Sequence, residues 1–495
     1  MSRIKFIIMT AAVILFALSP AALAQTETGQ IIGTVTDPNG AVVSGAAVTV
    51  KSAETGRTVN ATSNDEGVYT VTNLQPGLYD VTVQGTGFAA STKRVQVTVG
   101  SRTSVETQLS VTAITGETIE VVASGGVEVN TTNQELSNVV SGTQIRELPT
   151  ITRNPYDLVK LSGNAASDDP STSQNDSGGT ATFRGTGASI NGQRAASTNI
   201  LLDGADNNDT FVADVGQNVP LDSVQEFRVI TSNFSAEYGR ASGGIVNVAT
   251  RSGSNDFNGT AYAFNRISRL ASNGFDNNAR GLARGVFTRN QFGYSAGGPV
   301  LKNKLFFFNS TEWIRVRSTG PATALVPTSQ LIAAAAPNTR QFLNNYTLSA
   351  TPTGRVFTVG DVVADAPAGF TAGNLFAALP ANTPAFQEVS FTLPQDLGGG
   401  LPQNSYQTVT RIDWNVSDRT QVYGRYAVEK QSFFEGTVSF SPYQGFSTGN
   451  NAFNQNALVS LTRTFTPNFV SQTKLAFNRQ TTLSPLGEQP TGPTL

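Results

Sequence analysis

The C-terminal half of this 495-residue chain consists of short segments whose side chains alternate between two faces. Each segment is about ten residues long, which is the length that a tilted β-strand needs to cross a bilayer. The connections between the segments run alternately long, as at Ser318–Asn404, and short, as at Ser417–Arg419. The seven strands predicted in this way are Phe257–Arg266, Gln291–Val300, Leu305–Arg317, Gln407–Val416, Thr420–Lys430, Asn456–Phe465 and Phe469–Arg479.

The two faces of these strands differ in polarity. The fourth strand sets Ile412 and Trp414 opposite Arg411, and the first sets Tyr262 and Phe264 opposite small or polar residues. A soluble β-sandwich would turn its aromatic face into a core, whereas a membrane barrel turns that face to lipid. The alternation of long and short connections favours the barrel, since a soluble sandwich keeps its loops short throughout. We therefore predict an antiparallel transmembrane barrel whose aromatic side chains, Tyr262 and Phe264 included, point at lipid.

The composition excludes several classes of function. The chain contains no Cys and no His, so it has no thiolate or imidazole metal site, no Ser-His-Asp triad and no Cys nucleophile. A carboxylate pair or a Ser-Lys dyad stays open, but no spacing selects one. Lys plus Arg (33) nearly balances Asp plus Glu (35), which argues against a nucleic-acid partner. We predict a protein that is not an enzyme and has no cofactor.

The N-terminus has the pattern of a cleaved signal peptide over residues 1–24. Arg3 and Lys5 precede an apolar run from Phe6 to Leu18, which is too short to span a membrane as a helix. The small residues Ala22 and Ala24 then mark a cleavage site before Gln25.

Residues 29–111 alternate short Val- and Thr-rich runs with turn dipeptides such as Asn39-Gly40 and Pro76-Gly77, which predicts a small β-sandwich. The strings "GTVTDPNGAVVSGAAVTV" and "DEGVYTVTNLQPGLYDVTVQGTGF" resemble the carboxypeptidase regulatory-like domain, a transthyretin-like sandwich also classed with carbohydrate-binding-like folds. The zinc ligands of the peptidase that such domains accompany are absent. A spacer or docking role is favoured over sugar binding, because no cluster of Trp marks a saccharide platform.

A short extended segment, "ETIEVVA", follows the sandwich between glycine-containing flanks. Such a segment is able to add as a strand to the edge of a partner's sheet. It resembles the TonB box of TonB-dependent outer-membrane transporters, which implies TonB as a partner; the alternative is an ordinary strand of either neighbouring domain. The predicted box comprises Glu117, Thr118, Ile119, Glu120, Val121, Val122 and Ala123.

Residues 127–253 read as a mixed α/β unit. Pro149 follows one helical segment and Pro155 opens another, and strands are predicted near Ser189–Gly192, Asn199–Asp203, Phe227–Thr231 and Ile245–Thr250. The strings "NGQR", "LLDG" and "EYGRASGGIVNVATRSGSN" resemble, in this order, the plug domain of TonB-dependent receptors, closest to the Oar-like branch. The barrel string "YSAGGPVLKNKLFFFNSTEW" resembles the same branch.

Two groups of charged residues in this unit are candidate sites. Asp203, Asp206 and Asp209 have the oxygen ligands that a hard cation prefers, although their spacing departs from the twelve-residue calcium loop and a solvated loop is the alternative. The other group is a candidate for ionic contacts between the unit and a surrounding wall. Its members are Glu226, Arg228, Glu237 and Arg240.

The resemblance implies a mainly β protein with a transthyretin-like sandwich, an α/β plug and part of a transmembrane barrel at residues 257–495. A barrel of about 22 strands would need more residues, so we expect the front part of a transporter. The implied function is TonB-dependent transport of a siderophore, oligosaccharide or peptide across the outer membrane, with outer-membrane lipid around the barrel and the N-terminal domain in the periplasm. The alternative is a surface binding or adhesion protein that uses the sandwich and the long loops without transport.

Overall fold

The computed structural model describes residues 28–111, 135–150, 152–167, 188–209, 214–235, 238–279, 281, 283–366, 379–466 and 469–485. The predicted signal peptide (1–24) and TonB box (117–123) lie outside these ranges. In the described part the chain is mainly β-structure and forms three units. No helix among these residues has both the length and the apolar character required to cross a membrane.

The first unit, which we call the sandwich domain, covers residues 28–111 and packs two β-sheets around one apolar core. Its strands are β1 (Gly29–Thr36), β2 (Ala47–Ser52), β3 (Thr58–Thr62), β4 (Val68–Leu74), β5 (Gly77–Gln84), β6 (Ser91–Val97), β7 (Arg102–Ser104) and β8 (Thr107–Gln108). One sheet pairs β1 with β4, β7 and β8, and the other has the order β3-β2-β5-β6. Alternate residues such as Val48, Val50, Val81 and Val83 are almost fully buried between the sheets. Each buried valine contributes roughly 1.5–3 kcal/mol to folding.

The second unit, the middle domain, covers the described residues from 135 to 253. Its regular elements are β9 (Leu136–Ser141), α1 (Gly142–Glu147), β10 (Ala165–Ser167), β11 (Ala188–Ile190), β12 (Thr198–Leu202), β13 (Ala205–Asp206), β14 (Asn208–Asp209), β15 (Asp214–Val215), β16 (Val224–Ser232) and β17 (Gly244–Thr250). Short 3-10 helices occupy Pro155–Ser162, Ala195–Ser197 and Leu221–Ser223. The main sheet has the order β13-β12-β17-β16-β9, and β12 and β17 are buried along their whole length.

Local sequence accounts for the helices of the middle domain. Ser141 caps α1 in a capping box with Gln144, so two backbone donors at the helix start are satisfied. Pro155 is the first residue of the next helix, where its missing N–H costs nothing, and the Asn154 side chain accepts from the backbone N–H of Tyr156. The predicted helices before Pro149 and from Pro155 are therefore present, the second as a 3-10 helix.

The third unit, the barrel sheet, begins at residue 258. Its elements are β18 (Asn258–Ile267), α2 (Phe275–Ala279), β19 (Phe287–Leu301), β20 (Leu305–Pro327), α3 (Ser329–Ala334), α4 (Pro337–Asn344), β21 (Thr351–Thr358), α5 (Val359–Ala364), β22 (Pro384–Pro394), β23 (Gln403–Ser417), β24 (Thr420–Ser432), β25 (Asn451–Thr466), β26 (Phe469–Arg479) and β27 (Thr482–Leu483). The antiparallel order is β18-β19-β20-β23-β24-β25-β26, so each of the seven predicted strands is present and lies beside its sequence neighbours.

The connection between β20 and β23 has a fold of its own. The second half of β20, from Thr319 to Pro327, leaves the barrel sheet and pairs with β22, which in turn pairs with β21. Helices α3 and α5 pack on this hairpin, where Val359 and Ala385 are buried. The long excursion predicted between the third and fourth strands is thus a small ordered subdomain.

The two faces of the barrel sheet have the polarity that the sequence predicts in most strands. On β23, Ile412 and Trp414 are about half exposed, while Arg411 and Asp413 on the other face are buried against the middle domain. On β26, Phe469, Leu475 and Phe477 are exposed together, as expected for a lipid-facing surface.

Strand β18 contradicts the prediction that its aromatic side chains face lipid. Tyr262 lies opposite Gly293, which lies opposite Glu312, so the three residues share one face of the sheet. Glu312 is fully buried on the inner face, and the Tyr262 hydroxyl donates to its carboxylate at 2.9 Å. Tyr262 and Phe264 therefore point inward, and Ala261 and Ala263 point outward. The physical reason is a guanidinium from the middle domain, described below, that stacks on both rings.

Candidate functional site

The inner face of the barrel sheet and the middle domain meet along a polar interface, which we call the seam. Residues of the middle domain contact inward side chains on strands from β18 to β26, so the sheet curves around this domain. The seam contains three groups of contacts, centred on Asp203, Glu429 and Arg153. A fourth group joins the middle domain to the sandwich domain.

Asp203 forms the most deeply buried group. It follows β12 in the left-handed conformation (φ 52°), and its carboxylate accepts from the backbone N–H and the hydroxyl of Thr250, both at 2.8 Å. Two inward guanidiniums approach the same carboxylate, Arg425 at 2.9 Å and Arg411 at 3.6 Å. Asp413 pairs with Arg411 at 2.9 Å. Two acids and two bases thus balance one another where the accessible fraction of each side chain is 5% or less.

The Arg411 and Arg425 guanidiniums also bind the backbone of the middle domain. Arg411 donates to the Thr250 carbonyl at 3.1 Å, and Arg425 donates to the Leu202 carbonyl at 3.2 Å. The Arg411 guanidinium lies 4.2 Å from the centre of the Tyr423 ring. Both barrel arginines are therefore held at the carboxyl ends of β12 and β17, where Asp203 and Thr250 lie.

The Glu429 group lies on β24, nearer to the long-loop end of the seam. Its two carboxylate oxygens accept from the backbone N–H and the side-chain amide of Asn218, each at 3.0 Å. Asn454 on β25 donates to the same carboxylate at 3.4 Å and to the Gly216 carbonyl at 3.2 Å. These contacts tie the segment 216–218 of the middle domain to two adjacent barrel strands.

Arg153 centres the third group and has a left-handed backbone (φ 57°). Its guanidinium pairs with Asp222 at 2.6 Å and with Glu312 at 3.5 Å. It also lies 4.6 Å and 4.3 Å from the ring centres of Tyr262 and Phe264, within the range of cation–π attraction. One middle-domain side chain therefore binds both β18 and β20 of the barrel sheet.

The fourth group joins the sandwich domain to β16. Glu226 accepts from the backbone N–H of Val99, and Arg228 donates to the Val99 carbonyl at 3.1 Å. Arg228 also donates to Glu135 at 3.0 Å and to Ser137 at 2.8 Å, at the start of β9. Burial raises the pKa of the Glu226 carboxyl to about 7, although the Val99 N–H and Arg228 act in the opposite direction.

Comparison with known proteins identifies two of the three units. Residues 249–494 match the family described as an outer membrane beta barrel domain, and residues 30–110 match the carboxypeptidase regulatory-like domain. Over 307 residues the chain is 28% identical to the TonB-dependent transporter Oar of Myxococcus xanthus, a match that covers 58% of this chain and 27% of that protein. Over this region the chain is similar to a TonB-dependent transporter.

Solved structures give more distant similarities to the chain. The outer membrane transporter YddB from Escherichia coli is 13% identical with a TM-score of 0.45, covering 69% of this chain and 38% of that one. The siderophore receptor PirA from Pseudomonas aeruginosa is 14% identical with a TM-score of 0.37, covering 70% and 41%. The chain thus spans less than half the length of each of these relatives.

The three acids predicted to hold a cation have separate environments. Asp203 binds two arginines, Asp206 pairs with Arg240 at 2.7 Å in an exposed position, and Asp209 is buried. No group of three or more acidic side chains in the described ranges is arranged to hold a metal ion. The geometry therefore does not support the predicted cation site, because the Asp203 carboxylate is already neutralised by guanidiniums.

The predicted ionic contacts of the middle domain are also redistributed. Glu226 and Arg228 bind the sandwich domain instead of the barrel wall, and Arg240 pairs within the middle domain; Glu237 lies outside the described residues. The sequence interpretation missed Arg153 and Asn218, which do contact the wall. The signal for their partners was present: Glu312 and Glu429 are acidic residues within predicted barrel strands.

Proposed function

We propose that this protein takes part in TonB-dependent active transport of a small or oligomeric substrate across the outer membrane, with the middle domain as the plug. The observation that carries the proposal is the seam, where buried charges and hydrogen bonds hold the middle domain against the inner face of the barrel sheet. In this proposal these polar contacts hold the plug inside the barrel at rest. When the plug moves, water is able to replace each lost hydrogen-bond partner. The side chains of an apolar interface would instead be exposed to water at a cost in free energy.

TonB would act on the segment 117–123, by adding its own strand to that edge and pulling it. The first described strand after that segment is β9, an edge strand that pairs only with β16 in the described part of the main sheet. A pull transmitted along the chain would therefore reach Glu135 and Ser137 first. Peeling an edge strand breaks its hydrogen bonds one after another and needs less force than shearing a central strand.

Arg228 would couple this event to the sandwich domain. Its guanidinium binds Glu135 and Ser137 on the β9 side and the Val99 carbonyl on the sandwich side. Displacing β9 removes two of these acceptors, Glu135 and Ser137. Arg228 is then less firmly held, and its hydrogen bond to the sandwich domain is weakened in the same step. We place the sandwich domain in the periplasm, beside the short turns of the barrel sheet, because Asn255 and Asn303 at that rim lie against Glu54 and Gly56.

The TonB interaction is tested by the substitution Val121→Pro, which removes one backbone donor from the predicted strand. Val121→Thr is the matched control, because it keeps the N–H and the β-branched shape. Uptake of labelled ferric siderophores, oligosaccharides and peptides is measured beside binding of the same compounds to intact cells. We expect Val121→Pro to abolish uptake of any compound that the parent protein imports, with binding unchanged. Normal uptake by Val121→Pro would exclude the mechanism, and binding without uptake in the parent protein would favour the adhesion alternative.

A further inference from the structure

Three cationic side chains form a row on the outer surface of the barrel sheet, at the end that carries the long loops. Arg315 and Arg317 flank Val316, which is buried on the inner face, so both arginines point outward. Lys430 is exposed between the buried, inward-facing residues Glu429 and Gln431. We call Arg315, Arg317 and Lys430 the cationic row.

The strand register places the cationic row on β20 and β24, the two strands that flank β23. Lys430 lies opposite Tyr406 of β23, and Tyr406 lies opposite Trp313 of β20. Arg315 is two residues beyond Trp313 on the same face of β20 and lies opposite Asn404. The row is therefore a compact patch beside two aromatic side chains.

The height of the patch matches the edge of a bilayer. Arg315 and Lys430 each lie ten residues beyond the first residue of their strands, Leu305 and Thr420, which follow the short turns. At about 3.3 Å per residue and a tilt of about 40°, ten residues rise roughly 25 Å, the height of the apolar band of an outer-membrane barrel. Below the patch the outer surface carries apolar side chains such as Ile412, Val459 and Leu461.

The cationic row is not neutralised by the protein. None of the ion pairs within the described ranges includes one of its three members. Arg315 donates to the Ser405 carbonyl at 2.8 Å, and Arg317 donates to the Asn404 side chain at 2.8 Å and covers the Phe434 ring at 4.8 Å. These neutral partners orient both guanidiniums but leave their positive charge uncompensated and several donors unused.

We propose that the cationic row binds the phosphate groups of a phosphorylated glycolipid in the outer leaflet, with the acyl chains of that lipid on the apolar band below. Charge complementarity selects a phosphate, since planar guanidiniums bind it through paired hydrogen bonds and Lys adds a point charge. The continuous apolar surface selects a lipid as the carrier of that phosphate. The proposal rests on the outer-membrane barrel domain and is independent of transport.

The test uses the full chain, purified from outer membranes in mild detergent and stripped of lipid. Binding of lipid A carrying two phosphates is compared with binding of its dephosphorylated form, for the parent protein and for the triple variant Arg315→Gln, Arg317→Gln, Lys430→Gln. The matched control is Lys302→Gln, Lys304→Gln, Arg419→Gln, which removes three exposed cations at the short-turn rim. Heat-dependent migration on gels verifies that each barrel is folded.

We expect the triple variant to bind phosphorylated lipid A about tenfold or more weakly, and the control variant to bind as the parent does. Dephosphorylated lipid A should bind the parent and the triple variant equally. Parent-like binding of phosphorylated lipid A by the triple variant would overturn the proposal, as would equal binding of both lipids by the parent. If the triple variant fails to fold, two other variants replace it. Lys430→Gln alone must weaken the binding of phosphorylated lipid A. The charge-conserving double variant Arg315→Lys, Arg317→Lys must retain most of that binding.

Discussion

At the scale of single residues, Asp203 is a fully buried acid of the seam that faces two arginines. Its carboxylate faces two guanidiniums and two Thr250 donors in a site that solvent does not reach. Such a group adds little net stability while it is intact, because desolvation of the charges offsets their attraction. Removing one member has a large effect, since the remaining charges are left buried without compensation.

The substitution Asp203→Asn tests this asymmetry, with Asp206→Asn as the matched control. Asp203→Asn leaves two buried guanidiniums facing a neutral amide, and we expect a loss of about 3–5 kcal/mol in the free energy of unfolding. Asp206 pairs with Arg240 where both side chains are about half exposed, so its replacement should cost about 1 kcal/mol or less. Urea unfolding of the purified protein measures both values. Equal losses in the two variants would show that Asp203 has no special role.

The raised pKa of Glu226 predicts that docking of the sandwich domain on the middle domain depends on pH. Its pKa is about 7 in the folded chain, above the ordinary value of 4.5, so folding favours its protonated form. The stabilisation is complete below pH 4.5 and is lost as the pH rises towards 7, by about 3 kcal/mol at most. The charged group that faces Glu226 is Arg228, whose positive charge lowers the pKa of Glu226 and so opposes the effect of burial.

Limited proteolysis between pH 5 and pH 8 measures this effect, with cleavage between the sandwich domain and β9 as the readout. The parent protein should become more susceptible as the pH rises, and Glu226→Gln should have a flat profile in the same window because it cannot ionise. A parallel pH dependence in both proteins would assign the effect to another group.

At the scale of elements, the sequence predicts where the barrel strands lie better than how they face. The seven strands follow from the two-residue period and from the short turns, which are local properties. The inward orientation of β18 depends on Glu312 and Arg153, which are distant in the sequence and come together only when the strands and the middle domain pack. A strand with aromatic residues on one face and small residues on the other has the same local pattern in both orientations.

The seam was partly accessible from the sequence for a similar reason. Alternation predicts that Arg411 lies on the polar face of its strand, and the structure has it there. Asp203, which pairs with Arg411, is predicted from the sequence as a cation ligand, because a carboxylate in a loop has the same sequence whether it faces a metal ion or an arginine. Only the fold distinguishes the two.

The orientation of β18 is testable by cysteine labelling, which is simplified by the absence of native cysteine. A lipid-soluble maleimide should label Ala261→Cys and Ala263→Cys in membranes, because these positions face outward. Tyr262→Cys should react slowly, since its position faces the middle domain. Fast labelling of Tyr262→Cys together with slow labelling of the two alanine positions would reverse our assignment.

At the scale of the whole molecule, the sandwich domain contacts both of the other units. Gln75 donates to Asp413 of the barrel sheet at 3.2 Å, and Val99 binds β16 of the middle domain. The backbone N–H of Asn255 donates to the Glu54 carbonyl at 3.0 Å. The sandwich domain therefore lies at the short-turn end of the seam, so the movement that we propose for the middle domain would require it to leave.

A disulfide between the sandwich domain and the barrel rim tests this requirement. The side chain of Asn303 approaches the position that a Cβ atom would take at Gly56, so the pair Gly56→Cys, Asn303→Cys is placed for cross-linking. We expect the oxidised protein to lose uptake and to regain it on reduction. The control pair Thr82→Cys, Thr92→Cys joins two strands inside the sandwich domain and should not affect uptake. Full uptake by the oxidised first pair would mean that the sandwich domain stays docked during transport.

The second half of β20 extends beyond the barrel sheet and supports the subdomain between β20 and β23. From Thr319 to Pro327 the strand pairs with β22 and no longer with the barrel, so the ladder carries α3, α4 and α5 about 30 Å along the strand direction from the rim. Residues inserted between Thr319 and Pro394 would be supported by the pairing of β20 with β22. The register of the barrel strands would be unchanged. A change of sequence in this subdomain would therefore leave the contacts of the seam intact, because the residues that form the seam lie outside it.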